Sequence, residues 1–176
     1  MEKVLIIVDM QNDFIDGALA NPAAQEIVGK LADLAENWKG RIIFTRDTHG
    51  EDYLETQEGR KLPVKHCITG TYGWRINEKI ERAAKENAFA SVQYVDKPSF
   101  GAGTLLFDAI VQEGVPDEIV FCGTCTDICV VSNALILKSF LPETPMFAVK
   151  NCCAGLTKEK HEAAIEVMKS CQIDVI

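Results

Sequence analysis

The chain has 176 residues, of which 47% are hydrophobic and 25% charged, a composition typical of one ordinary globular domain. Its formal net charge of −8 argues against nucleic acid and anionic membranes as partners, since both select for clustered Lys and Arg. Its seven cysteines are odd in number and scattered, which argues against a disulfide framework. The first apolar run, residues 4–8, ends at Asp9 and is too short for a signal peptide or membrane span, so a cytoplasmic location is expected.

Apolar runs rich in β-branched residues alternate with helical patterns along the chain. The runs predict strands at residues 4–8, 41–45, 91–95, 118–122, 146–149 and 173–176. The helical patterns lie between them, at residues 23–37, 76–86, 104–113, 127–140 and 158–170. Strands that are apolar throughout are covered on both faces, and right-handed crossovers then place a parallel sheet between two helix layers. The sequence therefore predicts an α/β fold, a three-layer αβα doubly wound sheet of about six parallel strands with Rossmann-like topology, in a single domain over residues 1–176.

One connection does not fit this alternation. Residues 47–74 form a polar stretch, interrupted by glycines, between the second predicted strand and the second predicted helix. Connections of this length inside compact domains are uncommon and are usually functional. We therefore expect a loop insertion at about residues 47–74 that carries part of a binding site.

A cysteine follows the fourth predicted strand, in the segment Gly123-Thr-Cys-Thr-Asp-Ile-Cys129-Val. Thr126 or Asp127 is suited to cap a helix there, which places Cys129 in the first helical turn. Unpaired N–H groups and the positive end of the helix dipole favour a thiolate at such a position, so Cys129 is a candidate nucleophile. The simpler interpretation is a small core residue, since free cysteines are often buried.

Several polar side chains fall at the ends of predicted strands. They are Asp9 after the first strand, Asp47 and His49 after the second, Lys97 after the third and Cys129 after the fourth. Ligands of doubly wound sheets bind at the carboxyl ends of the strands, and all five groups meet at that edge. Each alone has a simpler interpretation as a turn, surface or core residue, but their coincidence at one edge indicates an active site.

Asp9, Lys97 and Cys129 form a chemically coherent set. A carboxylate within reach can accept the thiol proton and later give it to a leaving amine. A neighbouring ammonium lowers the pKa of both partners. Backbone N–H groups around Cys125 and Cys129 are suited to stabilise the oxyanion of a tetrahedral intermediate. The set predicts acyl transfer to sulfur followed by hydrolysis.

The long loop carries two of the three histidines of the chain. Asp47 and His49 offer two metal ligands from adjacent turn positions, and His66 can supply a third. The fourth is expected to be Glu58 or another acid of the loop, such as Asp52 or Glu55. Two imidazoles with two carboxylates suit one divalent transition metal such as Zn, Mn or Fe, since Mg and Ca prefer oxygen ligands throughout. The alternative is a solvated acidic loop in which the histidines are incidental.

These motifs together resemble a known enzyme family. The matching segments are Val8-Asp-Met-Gln-Asn-Asp-Phe14, Asp47-Thr-His49, His66-Cys-Ile-Thr-Gly-Thr71, Lys97 and Gly123-x-x-Thr-Asp-x-Cys129-Val. In this order, and over essentially the whole chain, they resemble the isochorismatase-like cysteine hydrolase superfamily. Within it, the loop pattern is most similar to that of nicotinamidases.

The resemblance implies an isochorismatase-like hydrolase fold in which Asp9, Lys97 and Cys129 are the catalytic triad. It implies hydrolysis of nicotinamide to nicotinate and ammonia through a thioester on Cys129, a reaction of pyridine nucleotide biosynthesis. The peptide bond between Thr124 and Cys125 is expected to be cis and to orient the Cys125 N–H toward the oxyanion. A homo-oligomer is expected as well.

The resemblance also specifies the metal site. The ligands it implies are Asp47, His49, Glu58 and His66. Zinc is the first candidate among the divalent transition metals, with manganese and iron as the others. In this family the metal holds the pyridine nitrogen of the substrate, so it is expected to position the ring rather than to attack it.

Phe14 and Phe100 match aromatic positions that line the ring pocket in this family. The chain departs from many nicotinamidases at residues 62–65, where no aromatic residue precedes the last loop histidine. Tyr72 or Trp74 is a candidate to complete the pocket instead.

Two other functions are consistent with the sequence. The triad also suits hydrolysis of another small amide or of an N-carbamoyl compound. Outside enzymes, the alternative is a redox-sensing or binding module with Cys129 as a reactive thiol and Cys125 as its resolving partner. The spacing Cys122-x-x-Cys125 would suit a metal or redox pair, although no second pair stands at matching spacing. The complete set of nucleophile, base and metal loop favours the enzyme.

Overall fold

The structure is a computed structural model and describes residues 2–176. Within these residues the strands are β1 (Lys3–Val8), β2 (Gly40–Asp47), β3 (Ala90–Lys97), β4 (Glu118–Thr124), β5 (Met146–Ala154) and β6 (Asp174–Val175). The α-helices are α1 (Asn12–Ile15), α2 (Pro22–Asn37), α3 (Gln57–Lys61), α4 (Glu78–Glu86), α5 (Thr104–Val111), α6 (Val131–Phe140) and α7 (Lys158–Ser170). A 3₁₀ turn spans Tyr53–Glu55, and a π-helical turn spans Thr126–Val130 directly before α6. These elements confirm the predicted α/β fold.

The six strands form one parallel sheet in the order β3-β2-β1-β4-β5-β6. The order reverses between β1 and β4, and such a reversal opens a crevice at the carboxyl ends of the two strands. At that end Val8 pairs with Gly123, and Asp47 pairs with Lys97 in the neighbouring strands. Gly123 has a φ of +115°, and a Cβ there would lie 2.2 Å from the carbonyl oxygen of Val8. Glycine is therefore required for the close approach of β1 and β4.

The core is centred on β1. Residues 4–8 are completely buried, as expected for a central strand covered by helices on both faces. On one side of the sheet α2 packs against α4, and on the other α6 packs between α5 and α7. Sheet and helices form the three layers that the sequence predicts. None of the helices within residues 2–176 is long and apolar enough to cross a membrane.

The boundaries of β5 differ from the prediction. The strand continues to Ala154 instead of ending at residue 149, although Lys150 and Asn151 are polar. These side chains are tolerated because β6, the outer neighbour of β5, is only two residues long and leaves them partly or fully exposed. A register shift relative to β4, between Phe121 and Gly123, accompanies this extension.

The loop insertion is more regular than its sequence suggests. Tyr53 is fully buried and forms its small core, with the hydroxyl donating to the carbonyl of Leu62 at 3.0 Å. The side chain of Thr56 caps α3 by accepting the N–H of Gly59 at 3.0 Å. A Cβ at Gly59 would lie 2.0 Å from the carbonyl oxygen of Tyr53, so α3 packs directly on the 3₁₀ turn. Glu58 is thereby fixed in the first turn of α3.

Candidate active site

Asp9 lies directly after β1 and is fully buried. Its Oδ1 atom accepts a hydrogen bond from the hydroxyl of Thr45 at 2.7 Å, and its Oδ2 atom lies 2.7 Å from Nζ of Lys97. Such partners are needed because burying an isolated carboxylate is costly. The backbone φ of Asp9 is 48°, a left-handed conformation that is uncommon for residues other than glycine and that concentrates at functional sites.

Lys97 is the last residue of β3 and is also fully buried. Its ammonium lies 3.3 Å from Oδ1 of Asp47 and 3.7 Å from Sγ of Cys129, and it donates to the carbonyl of Ser99 at 3.0 Å. One cation therefore contacts the carboxylate of Asp9, the thiol of Cys129 and the carboxylate of Asp47 at the end of β2. The structure brings the three residues of the expected triad into one cluster.

Cys129 lies in the π-helical turn after β4 and is 7% exposed. The predicted helix cap is wrong, because the turn begins without a side-chain cap from Thr126 or Asp127. Oγ1 of Thr126 lies 2.9 Å from Nδ1 of His161, and the Asp127 carboxylate accepts the N–H of Leu156 at 2.9 Å. These side chains attach the turn Thr126–Val130 to α7 and to the segment before it. We call it the nucleophile turn, since it carries the candidate nucleophile Cys129.

The peptide bond between Thr124 and Cys125 is cis, as the resemblance implies. The carbonyl of Cys125 accepts hydrogen bonds from the N–H groups of Ile128 at 3.0 Å and Val130 at 3.1 Å. Burial raises the pKa of the Cys125 thiol to about 11. Cys125 is therefore held by its backbone at the start of the turn, with a side chain that stays protonated.

Burial and the neighbouring charges together set the direction in which each pKa of the triad shifts. Burial raises the pKa of Cys129 well above that of a free thiol, and the Asp9 carboxylate adds to the effect. Burial also raises the pKa of Asp9, against the lowering effect of the Lys97 charge. Burial by itself lowers the pKa of Lys97, but the negative charges around it outweigh burial and raise that pKa. Burial therefore favours a neutral thiol at Cys129, in contrast to the thiolate that a helix N-terminus favours.

A second cluster forms where β2 meets the loop. Its members are Asp47, His49, Glu58 and His66, whose ligand atoms all lie within 4.8 Å of one another. Oδ2 of Asp47 lies 2.9 Å from Nε2 of His49 and 3.4 Å from Nε2 of His66. Oε1 of Glu58 lies 3.7 and 3.8 Å from the same two nitrogen atoms. Of the loop acids considered for the fourth position, Glu58 is the one that the structure brings into the cluster.

Buried polar contacts fix these side chains. Nδ1 of His66 donates to the carbonyl of Val64 at 2.8 Å, so Nε2 is the nitrogen left to bind a metal when the ring is neutral. Burial raises the pKa of Asp47, but hydrogen bonds from the two histidines and the Lys97 charge outweigh it and lower that pKa. Asp47 is therefore ionised, and two imidazoles with two carboxylates fit a transition metal.

Gln11 and Asp13 support this cluster, and sequence reasoning missed both. Gln11 is fully buried and exchanges two hydrogen bonds with the backbone of Asp47, at 2.7 and 2.8 Å. Oδ2 of Asp13 accepts the N–H of Cys67, the residue after the last loop histidine, at 2.7 Å. A Cβ at Gly73 would lie 2.0 Å from the same carboxylate, so the loop packs directly on it. The signal that could have indicated Gln11 and Asp13 is the presence of polar residues just after a buried strand.

A cavity of about 460 Å³ joins the two clusters. Asp47, Glu58 and His66 of the second cluster line it, together with Cys129 of the first cluster and the neighbouring Cys125. Phe14 and Phe100 line it as well, in the places that the resemblance implies. The ring centroid of Phe14 lies 5.7 Å from that of His66. A partly apolar cavity of this size with a few convergent polar groups is typical of a small-molecule site.

Neither Tyr72 nor Trp74 completes the pocket. The indole N–H of Trp74 donates to the hydroxyl of Thr48 at 2.9 Å, and the guanidinium of Arg46 lies 3.9 Å from the ring centroid. Tyr72 is 62% exposed and lies outside the cavity lining. Aliphatic residues line the cavity instead, among them Leu19, Leu62, Ile128 and Leu156.

The Isochorismatase domain family matches residues 3–176. The chain belongs to the isochorismatase family. Within this family, a nicotinamidase/pyrazinamidase from Mycobacterium tuberculosis is 28% identical over an aligned length of 194 residues. The alignment covers 99% of this chain and 98% of the relative. A solved nicotinamidase/pyrazinamidase from Bacillus subtilis has a TM-score of 0.84 at 26% identity, with 99% of each chain covered. The pyrazinamidase of Pyrococcus horikoshii, solved in complex with zinc, has a TM-score of 0.79 at 27% identity and covers 100% of this chain and 99% of its own. This likeness over the whole chain confirms the isochorismatase fold that the motifs indicate.

Proposed function

We propose that this isochorismatase-family protein is a metal-assisted cysteine amidohydrolase that converts nicotinamide and water to nicotinate and ammonia. The observation that carries the proposal is a single cavity lined both by Cys129 and by three of the four residues of the second cluster. Similarity in sequence and structure to proteins named nicotinamidase supports this choice of substrate. In this proposal Asp9, Lys97 and Cys129 are the catalytic residues.

Asp9 is proposed to act as the general base for Cys129. Transfer of the thiol proton to its carboxylate gives a thiolate beside the Lys97 ammonium, which lies 3.7 Å from the sulfur. The sulfur attacks the carboxamide carbon, and the electron pair of the C=O bond moves to the oxygen. The backbone N–H groups of Cys125 and Cys129 are proposed to stabilise this oxyanion. When the carbonyl forms again, Asp9 gives its proton to the nitrogen and ammonia leaves.

The same residues hydrolyse the thioester left on Cys129. Asp9, ionised again, accepts a proton from a water molecule as the water oxygen attacks the thioester carbon. Collapse of the second tetrahedral intermediate releases the acid product and a thiolate, and this sulfur regains the proton held by Asp9. Lys97 stays charged throughout, consistent with its raised pKa, and stabilises each anionic state.

The second cluster is proposed to hold one divalent transition metal, with zinc as the first candidate and manganese or iron as the others that suit its donors. The zinc in the Pyrococcus horikoshii relative supports this order. Such a metal, when bound, supplies a Lewis acid that can take a lone pair from the ring nitrogen of a heteroaromatic amide. Asp47, Glu58 and His66 line the cavity, so the ligands and the nucleophile face one shared space.

The cavity walls suit a flat aromatic ring. Phe14 and Phe100 offer aromatic surfaces to such a ring, since aromatic pairs are favoured in edge-to-face or offset arrangements. Leu62 and Leu156 add aliphatic walls that keep water away from the ring. The pocket therefore recognises the ring through apolar contact and leaves the polar atoms of the substrate to the two clusters.

The redox-sensing alternative fits the thiols less well. A sensor thiol needs a low pKa and access to oxidant, whereas burial raises the pKa of both Cys129 and Cys125. A buried carboxylate beside the thiol serves both stages of amide hydrolysis, as acceptor of the thiol proton and as donor to the leaving amine, whereas a sensor needs no such proton donor. We therefore propose the hydrolase.

Ammonia release from nicotinamide by zinc-loaded protein tests the proposal. We expect steady release by the wild type and its loss in Cys129→Ala, with the circular dichroism spectrum unchanged. Benzamide has the same shape without the ring nitrogen and should be a much poorer substrate. A preference for an N-carbamoyl amine over nicotinamide would keep the cysteine hydrolase and contradict the substrate, and no release from any of these amides would contradict the activity.

A further inference from the structure

Asn133 is a buried amide one helical turn after Cys129, and no step of the proposed reaction uses it. It lies in α6 and is 1% exposed. Its Nδ2 atom donates to the carbonyl of Cys129 at 2.7 Å and to the carbonyl of Phe100 at 3.2 Å. Its Oδ1 atom accepts the N–H of Ala102 at 2.8 Å. One side chain thus joins the nucleophile turn to residues 98–103, the segment after β3 whose Phe100 lines the cavity.

The three hydrogen bonds of the Asn133 side chain require an amide. Asparagine is not favoured inside helices, because its side chain competes with the backbone for hydrogen bonds. Asn133 uses both N–H donors and its acceptor oxygen, which an aliphatic or hydroxyl side chain could not match. Removing the amide would leave buried backbone groups of both segments without these partners, and such groups are costly to leave unpaired.

The segment after β3 has a second anchor at its other end. The Lys97 ammonium donates to the carbonyl of Ser99 at 3.0 Å. A Cβ at Gly101 would lie 2.5 Å from Cδ1 of Ile136, so the backbone lies directly against α6. The side chain of Phe100 is 45% exposed at the cavity, and its place therefore follows from how this backbone is held.

We propose that Asn133 is a positioning residue that fixes the Phe100 wall relative to the sulfur of Cys129, and so fixes how the substrate ring is presented to the nucleophile. The inference rests on the proposed amide hydrolysis at this site. Asn133 acts through the backbone of Phe100 and Cys129 and needs no contact with the substrate. The rate of attack depends steeply on approach geometry, so loosening this link slows the reaction even when the triad is intact.

Asn133→Leu removes the three hydrogen bonds with little change in side-chain volume. We expect kcat/KM for nicotinamide to fall about 100-fold, the loss that a displacement of roughly 1 Å can cause. The matched control is Asn87→Leu, since Asn87 is also buried and donates to two carbonyls, those of Ala35 and Trp38, far from the cavity. This control should lower stability and leave kcat/KM unchanged.

A second measurement needs no substrate. The rate at which iodoacetamide alkylates Cys129, followed by mass spectrometry of its peptide, reports how the nucleophile turn is held. We expect this rate to rise severalfold in Asn133→Leu and to stay at the wild-type value in Asn87→Leu. If Asn133 had only a structural role, its replacement would change neither the alkylation rate nor kcat/KM in protein that remains folded.

The outcomes separate the two proposals. Two results would overturn the positioning role. One is that Asn133→Leu keeps the wild-type kcat/KM and the wild-type alkylation rate. The other is that kcat/KM falls equally in Asn133→Leu and Asn87→Leu. If Asn133→Leu does not fold, Asn133→Asp is measured in the same way, because it keeps an acceptor for Ala102 and loses both donors. If the wild-type protein releases no ammonia, the proposed function fails, and the alkylation rates alone then decide the role of Asn133.

Discussion

Nζ of Lys97 lies 2.7 Å from Oδ2 of Asp9, and both side chains are completely buried at the carboxyl end of the sheet. A buried ion pair is expensive unless further hydrogen bonds support it, and here Thr45 supports the carboxylate while the carbonyl of Ser99 supports the ammonium. The Lys97 ammonium also lies 3.7 Å from Sγ of Cys129, so a thiolate there would have a cation beside it. In the proposed mechanism the pair therefore contributes both to stability and to catalysis.

Breaking this pair from one side should destabilise the fold. Lys97→Met leaves the Asp9 carboxyl buried without its cation, and we expect the free energy of unfolding to fall by about 3–5 kcal/mol. The double variant Asp9→Asn/Lys97→Met removes both charges and should recover part of this loss, although it remains inactive. Urea denaturation at neutral pH measures both. A Lys97→Met protein as stable as the wild type would mean that the pair is not the buried interaction described above.

Replacing the nucleophile should remove turnover without removing binding. Cys129→Ser keeps the size of the side chain, but a hydroxyl is far less acidic than a thiol, so we expect kcat to fall at least about 1,000-fold. Nicotinamide should still bind, as measured by calorimetry with zinc-loaded protein.

Cys125→Ser is the matched control for that experiment. In the proposed mechanism Cys125 contributes its backbone N–H, so the variant should keep most of the wild-type kcat. If the losses in the two variants were exchanged, Cys125 and not Cys129 would be the nucleophile.

Most of the fold could be predicted because the central strands of this sheet, such as β1 and β4, are nearly continuous apolar runs. The sequence pattern does not predict the shorter elements, because the 3₁₀ turn at Tyr53–Glu55 and α3 have too few residues to show a helical period. The extension of β5 depends on a short neighbouring strand and not on its own residues. The expected oligomer remains a prediction.

The convergence of Asp9, Lys97 and Cys129 could be predicted because parallel strands bring their carboxyl ends to one edge. Other parts of the site depend on contacts distant in sequence. The spacing of the loop does not distinguish Glu58 from the other loop acids, and only the family resemblance specifies it, because its place depends on how the loop packs around the buried ring of Tyr53. The bridge from Asn133 to Phe100 spans 33 residues and leaves no local pattern.

The metal cluster predicts different effects for two glutamates of the same loop. Glu58→Gln removes one of the four clustered ligands, so we expect zinc affinity to fall at least about tenfold and KM for nicotinamide to rise. Glu55→Gln makes the same change at an exposed residue outside the cluster and should behave as the wild type. Elemental analysis after dialysis against a weak chelator measures the zinc. Full zinc retention by Glu58→Gln, or equal zinc loss in both variants, would show that Glu58 is not a ligand.

The pH dependence of kcat/KM should carry the signature of Asp9. The carboxyl must be ionised to accept the thiol proton, and burial raises its pKa, so activity should be lost as the pH falls through a value above the usual carboxyl range of about 4. The hydrogen bond from Thr45 lowers this pKa, so Thr45→Val should move the acidic limb of the profile to still higher pH. Protonation of the histidine ligands also releases metal at low pH, so bound zinc is measured at each point. If the fall in kcat/KM at low pH follows the zinc content and does not shift in Thr45→Val, the loss of activity comes from metal release. That result would contradict the assignment of Asp9 as the base.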